Sequence, residues 1–268
     1  MYSEQIYEQW RDIKQRGDGK LDNILKAAKI LRNASSIVAL TGAGASTESG
    51  IPDFRSSGAS TENNKKYDIP VEVILSHSFF VNYTEIFYDY YKTNLVYPDA
   101  EPNDCHFALA EMEKLCNLKG VITQNIDGLH QKAGSSNVIE LHGTTKLNYC
   151  MKCNKKFKLE DICDAEQNIP LCDKCGGIIK PDVVLYEEPL NQKNLIDSVN
   201  MVKESDVLLV IGTSLVVYPA AGLLNYYNGN NLIIVNIGFT PFDRSANVVI
   251  NEKAGGVLKK LVTALKKQ

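Results

Sequence analysis

Ser36-Ile-Val-Ala-Leu-Thr41 runs straight into Gly42-Ala-Gly-Ala-Ser-Thr-Glu-Ser-Gly-Ile-Pro-Asp-Phe-Arg55. An apolar run of β type stops at two glycines one residue apart, and small hydroxyl residues follow. A buried strand ending in a phosphate-cradling turn has this profile. Without Cβ atoms, glycines let backbone N–H groups approach a pyrophosphate, and a helix starting there aims its positive end at it. The usual dinucleotide fingerprint, G-x-G-x-x-G, has Thr47 in its third position here. No acidic residue clearly closes a second strand about twenty residues on to hold a ribose. On these residues alone, an ordinary βα turn fits as well.

The remaining chain repeats the theme. Gly120-Val-Ile-Thr-Gln-Asn-Ile-Asp127, Asn137-Val-Ile-Glu-Leu-His-Gly143, Asp206-Val-Leu-Leu-Val-Ile-Gly-Thr-Ser214 and Leu232-Ile-Ile-Val-Asn-Ile-Gly238 are apolar strands ending in polar residues. Helical spacing separates several of them. Leu21, Ile24, Leu25, Ala28 and Leu31 share one face, as do Val257, Leu258, Leu261, Val262 and Leu265. Further helices are expected over 104–118, capped by Asn103 or Asp104, and around 191–203 and 219–227. This alternation predicts an α/β fold with a Rossmann-like, doubly wound parallel sheet, whose ligands bind at strand C-terminal ends. The aromatic stretch His77 to Val96 reads as a helix with a core-packing stripe. Ser56 to Lys66, polar and small, reads as a surface loop and a candidate lid.

The chain has 268 residues and a formal net charge of −3. That balance suggests no nucleic-acid partner, and no apolar run is long enough for a membrane span. Met1 to Lys20 is polar and lacks the apolar core of a secretory signal, so a reducing, cytoplasmic setting is expected. Of seven cysteines, four form two knuckles, Cys150-x-x-Cys153 and Cys172-x-x-Cys175. Four thiolates in this spacing fit one tetrahedral, structural zinc; a redox dithiol pair is the alternative. Cys105, Cys116 and Cys163 read as unpaired thiols.

Taken together, GAGAS and GIPDFR, Thr123-Gln-Asn-Ile-Asp-Gly-Leu-His130, Glu140-Leu-His-Gly143, the two knuckles, Gly212-Thr-Ser214 and Val235-Asn-Ile-Gly238 stand in the order of the sirtuins. The chain resembles the bacterial-type, zinc-containing members from about Ala34 to Leu265. The resemblance implies an NAD-dependent protein lysine deacylase, with a Rossmann-like domain, a small zinc module and a helical insert around the cleft. It implies that His142 is the catalytic base: the acyl oxygen attacks the nicotinamide-bearing ribose carbon, and His142 deprotonates a ribose hydroxyl that then attacks the imidate carbon. Products are nicotinamide, free lysine and O-acyl-ADP-ribose. Gln124 and Asn125 are implied to orient the ribose and a water, and Ile126 and Asp127 to meet the nicotinamide amide, with Asn125 and Asp127 joining His142 as catalytic. Phe54 is implied to shield the reacting centre and Arg55 to hold cofactor oxygens. Ala43, Gly44 and Thr47 face the pyrophosphate, Thr213 and Ser214 close it from the other side, Asn236 reaches the adenosine ribose, and Lys253 caps the adenine. Asp127 as a helix cap and Phe54 as core are the structural alternatives; His77, His106 and His130 read as structural.

An acylated lysine in a protein or peptide is the implied partner, added as a strand between Val183–Glu188 and Leu215–Tyr218. The family pattern there is aromatic-Gly-Glu, whereas this chain has Tyr186-Glu187-Glu188. Glu187 narrows the site, favours basic substrates or points to solvent. The loop after Arg55 lacks the Tyr and Arg that hold acidic acyl groups, which favours a neutral acyl group, acetyl first. Protein ADP-ribosyl transfer, a non-catalytic NAD sensor and a dehydrogenase are the other readings. The expected organisation is an N-terminal extension (1–20), a Rossmann-like domain (21–55, 100–144 and 181–268), a flexible loop and helical insert (56–99) and the zinc module (145–180).

Overall fold

The computed structural model describes residues 21–53, 67–163, 165 and 168–267. The expected extension (1–20), Phe54, Arg55 and the loop 56–66 lie outside the described residues. A helix over 21–33, α1, leads into β1 (Ile37–Thr41). Short helices α2 (Val71–Ile74) and α3 (His77–Asn82) precede α4 (Thr84–Asn94) and α5 (Asp104–Leu115). Then come β2 (Leu118–Thr123), α6 (Leu129–Lys132), β3 (Val138–Glu140), β4 (Gly143–Cys150), β5 (Lys156–Lys158), α7 (Leu159–Cys163) and β6 (Ile179–Val183). Finally α8 (Gln192–Glu204), β7 (Val207–Ile211), β8 (Asn231–Val235), β9 (Val248–Ile250) and α9 (Ala254–Lys266) close the chain.

The main sheet has six strands in the order β3-β2-β1-β7-β8-β9, and each neighbouring pair is parallel. Numbered within this sheet alone, that is the 3-2-1-4-5-6 order of a doubly wound fold. Alternation along each strand divides the apolar residues between two cores. Ile37, Ala39, Leu209 and Ile233 pack with α1, α5 and α9 on one face. Val38, Leu40, Leu208 and Ile234 pack with Val202 of α8 and Leu223 on the other. The strand order reverses between β1 and β7, so their turns border the crevice where such folds bind ligands.

A second, antiparallel sheet, β5-β4-β6, carries the cysteine knuckles. Its core is shared with the aromatic segment: Phe80, Phe87, Tyr88 and Tyr91 pack with Ile162, Ile179 and Leu185. The Tyr88 hydroxyl donates to the Ile179 carbonyl. The aromatic stripe is therefore core, as its spacing suggests, but it spans two helices rather than one. The break falls at Tyr83 (φ −133, ψ 46), where the Thr84 hydroxyl bonds back to the Phe80 carbonyl at 2.7 Å. Such back-bonding by a β-branched hydroxyl residue interrupts a helix locally. The helix expected over 104–118 ends at Leu115; Asn117 is drawn off by the Ala34 carbonyl (2.8 Å), and Leu118 already belongs to β2. The stretch expected as a helix around 219–227 is a 3₁₀ turn, Ala220–Tyr226.

Candidate active site

The glycines after β1 have a packing role that their spacing alone does not show. The Gly44 N–H donates to the Gly212 carbonyl at 2.8 Å, and the Gly42 N–H to the Ile211 carbonyl at 3.0 Å. A Cβ on Gly44 would lie 2.7 Å from Gly212 Cα, and one on Gly212 (φ +60) 2.4 Å from the Ala45 nitrogen. The β1 and β7 turns thus press backbone on backbone, which only glycine permits. No long helix starts directly after the turn; two 3₁₀ turns, Ala43–Ala45 and Thr47–Ser49, occupy the place. The expected helix end aimed at a phosphate is absent there, and the two glycine N–H groups are already engaged. Thr47 bonds back to the Gly44 carbonyl at 3.3 Å.

Ser46, which the sequence reading passed over, is the hub of the site. It is buried, and its hydroxyl donates to Asp127 Oδ2 at 2.7 Å. It accepts from Asn125 Nδ2 at 3.0 Å, and the same amide donates to the Gly42 carbonyl at 3.1 Å. His106 Nε2 lies 3.4 Å from the Ser46 hydroxyl. The Asn103 N–H donates to His106 Nδ1 at 3.2 Å, so the ring proton sits on Nε2 and points at Ser46. Burial lowers the His106 pKa to about 4 against the raising pull of Asp127, so the ring is neutral. The other Asp127 oxygen caps α6 through the Leu129 N–H at 2.8 Å. Asp127 is thus both a helix cap and a site group. His130, buried beside His106 with ring centroids 4.8 Å apart, sits 3.0 Å from Thr41 Oγ1 and has its pKa lowered to about 3 by burial and by His106. The two histidines are structural in position, but His106 also forms the inner wall of the site.

His142 follows β3. Its Nδ1–H donates to the Gln124 carbonyl at 2.9 Å, leaving the Nε2 lone pair free to accept a proton. Burial lowers its pKa, partly offset by that carbonyl, and the neutral ring predominates at neutral pH. Gln124 also spans the crevice: its Nε2 donates to Thr213 Oγ1 at 3.1 Å. Gly44, Gln124, Asn125, Asp127, His142 and Thr213 therefore converge at the ends of β1, β2, β3 and β7. Ala43 lies in the first 3₁₀ turn, and Ile126 packs against the aromatic core. Ser214 follows Thr213 at the end of β7. Asn236 and Lys253 stand on the adjoining strand ends: Asn236 Nδ2 donates to the Gly238 carbonyl at 2.8 Å, and Lys253 is the N-cap of α9.

In the small sheet, the sulfurs of Cys150, Cys153, Cys172 and Cys175 all lie within 4.8 Å of one another. All four are free thiols, with Cys150–Cys175 at 3.4 Å and Cys153–Cys172 at 3.6 Å. A tetrahedral zinc with Zn–S of about 2.3 Å needs sulfurs about 3.8 Å apart, so the four fit it. A Cβ on Gly177 would stand 2.9 Å from the Cys150 sulfur, which explains the glycine beside the second knuckle. Four protein ligands fill the coordination, so the ion is structural.

A doubly wound sheet with its polar cluster at the topological switch point, joined to a four-thiolate module, defines a dinucleotide-dependent α/β enzyme class. Residues 42–219 match the model of the Sir2 family. An NAD-dependent protein deacetylase of Clostridium tetani is 53% identical over 245 residues, covering 91% of this chain and 99% of that protein. One of Clostridium acetobutylicum is 51% identical over 242 residues, covering 90% and 99%. A solved Sir2 enzyme structure superposes with a TM-score of 0.82 at 42% identity, covering 92% of this chain and 98% of its own. Sir2 bound to a p53 peptide and NAD+ superposes at 0.78 with 37% identity, covering 89% and 96%. The chain belongs to the Sir2 family.

Proposed function

We infer that the protein is an NAD-dependent protein lysine deacetylase that yields nicotinamide, deacylated lysine and O-acyl-ADP-ribose. The observation that carries the reading is a neutral His142, held by Nδ1 on the Gln124 carbonyl, at the end of a crevice lined by Asn125 and Asp127. NAD supplies an electrophilic ribose carbon with nicotinamide as leaving group. Asn125 and Asp127, fixed through Ser46, orient the nicotinamide end and an adjacent water. His142 Nε2 takes a proton from a ribose hydroxyl, a task suited to an imidazole neutral at pH 7. Gly44, Thr47, Thr213 and Ser214 line the pyrophosphate region, and Ala43, Ile126, Asn236 and Lys253 complete the NAD contacts, with Phe54 and Arg55 in the roles the family gives them. The names and contents of the relatives support this reading: deacetylases by name, and Sir2 complexes holding a p53 peptide with NAD+ or a propionylated peptide.

The acyl-lysine peptide adds as a strand between Val183–Glu188 and Leu215–Tyr218. We also propose the domain division given by the sequence, with the helical insert and zinc module as one packed unit. No helix among the described residues is long and apolar enough to cross a membrane. The free thiols suit a reducing cytoplasm.

The test is mass spectrometry of an acetyl-lysine peptide incubated with the protein and NAD, beside His142→Ala. Acetyl loss that requires NAD, O-acetyl-ADP-ribose among the products and an inactive variant are expected. An untouched peptide with NAD bound or consumed would sink the deacetylase reading.

A further inference from the structure

Residues Leu185 to Glu188 form a tight turn, closed by the Glu188 N–H donating to the Leu185 carbonyl at 3.0 Å. Glu187 is its third residue, with φ +75, the left-handed position that type II turns give to glycine. Among the described residues, Asp68, Asn154, Glu187 and Leu215 are the non-glycines with positive φ. Asp and Asn tolerate that conformation, whereas Glu and Leu rarely adopt it. Glu187 and Leu215 stand on the two segments that flank the substrate strand, and such strain persists only where the surroundings hold it.

What holds Glu187 is the first turn of α3. One carboxylate oxygen accepts the Ser78 N–H at 2.9 Å and the other the Ser78 hydroxyl at 2.9 Å. The neighbouring residues are tied to the same place. The His77 N–H donates to the Tyr186 carbonyl at 3.0 Å, and the Tyr186 N–H to the Leu75 carbonyl at 2.9 Å. Glu188 meets His77 Nδ1 at 2.8 Å, the buried Lys180 ammonium at 3.0 Å and the Leu185 N–H at 2.9 Å. At its other end the segment holds the base: the Val184 N–H donates to the His142 carbonyl at 2.9 Å. Within this anchored segment, the N–H and C=O of Glu187 itself bond nothing among the described residues. They are a free donor and acceptor on the edge a substrate strand would join.

We propose that Glu187 is a positioning residue for the substrate peptide. Clamped by both carboxylate oxygens on Ser78, it fixes the orientation of its own peptide groups toward the incoming acyl-lysine strand. A glycine at this position is free to sample both signs of φ, and that freedom must be lost on binding. The clamp also turns the carboxylate onto the helical insert. The Glu187 carboxylate, though exposed, is therefore held on Ser78 rather than extended freely into the peptide path. This inference rests on strand addition along Val183–Glu188.

The test is steady-state kinetics with an acetyl-lysine peptide at saturating NAD for E187G, E187Q and S78A, with amide hydrogen exchange of residues 184–188 with and without peptide. E187G removes the clamp and also the left-handed strain, so its thermal midpoint should stay near wild type while the peptide KM rises about three- to tenfold. Its kcat and its KM for NAD should hold. E187Q, whose amide can still bond both Ser78 groups, should restore the wild-type KM, and S78A should fall between. Protection of Glu187 by peptide in the wild type with an unchanged KM in E187G would overturn the proposal alone. No protection at residues 184–188 would overturn strand addition and the proposal with it.

Discussion

Ser46→Ala is the sharpest probe of the site, because one hydroxyl serves three partners there. Among the described residues, Asp127 Oδ2 loses its 2.7 Å donor, the Asn125 amide keeps only the Gly42 carbonyl, and the His106 N–H loses its one acceptor. A hydrogen bond to a carboxylate is worth about 1.5–3 kcal/mol net, and an orphaned buried donor costs about 1–3 kcal/mol more. The His106 contact is long at 3.4 Å, so its share belongs at the low end. The expected destabilisation is about 2–4 kcal/mol, read from urea unfolding at unchanged slope. Function should suffer separately: a misplacement of about 1 Å in a positioned group can cost about a hundredfold, so kcat/KM for NAD should fall by roughly ten- to a hundredfold. A double-mutant cycle with Asp127→Asn isolates the pair, and a coupling of about 1–3 kcal/mol is expected. If Ser46→Ala unfolds within about 0.5 kcal/mol of wild type and turns NAD over normally, Ser46 does not hold Asp127 and the hub is wrong.

Two further outcomes follow from groups outside that hub. Cys172→Ser, or a chelator applied to the wild type, should lower the thermal midpoint by roughly 10 °C or more and abolish activity, because zinc binding is folding free energy for such a module; an active, zinc-free protein of normal midpoint would refute the structural role. Glu140, pressed by burial to a pKa of about 7 from 4.5, keeps its proton in the native state over a range where the unfolded chain has released it, so it lowers stability as pH rises from about 4.5 through about 7. Glu140→Gln should match wild type near pH 4 and exceed it by about 1–2 kcal/mol at pH 8, and an equal gap at both pH values in urea unfolding would show that the carboxyl is not the titrating group.

The parts of this molecule that follow from local chemistry could be read from the chain. The strand Val207–Ile211 and the stretch Leu232–Val235 of its neighbour are apolar throughout, and a sheet covered on both faces accommodates that. The paired knuckles carry their own geometry, since C-x-x-C brings two sulfurs to one ion wherever it folds. Ser46 was illegible for the opposite reason: its partners lie at Asp127, Asn125 and His106, more than fifty residues away in each case, and no local spacing records them. The packing role of Gly44 was illegible on the same ground, because the backbone it must admit belongs to Gly212. Glu187 stood out only as a departure. The Ser78 groups that account for it come from an element over a hundred residues earlier.

His142 lies at the seam between the two sheets, and the glycine after it shows why. Gly143 has φ +76, and a Cβ there would stand 1.9 Å from the Asp182 carbonyl oxygen. The chain leaves the parallel sheet at Glu140 and by Gly143 is already paired with Val183 of the small sheet. His142 is consequently gripped from both sides: its ring by the Gln124 carbonyl beyond β2, its own carbonyl by the Val184 N–H beside β6. β6 in turn shares its core with the zinc knuckles and the aromatic helices, through Ile179 and Leu185 against Tyr88. Loss of zinc therefore reaches His142 without any cysteine touching the reacting groups. On the proposed reading, the segment that receives the substrate, Val183–Glu188, also holds His142, so acyl-lysine binding and proton transfer would depend on that one segment.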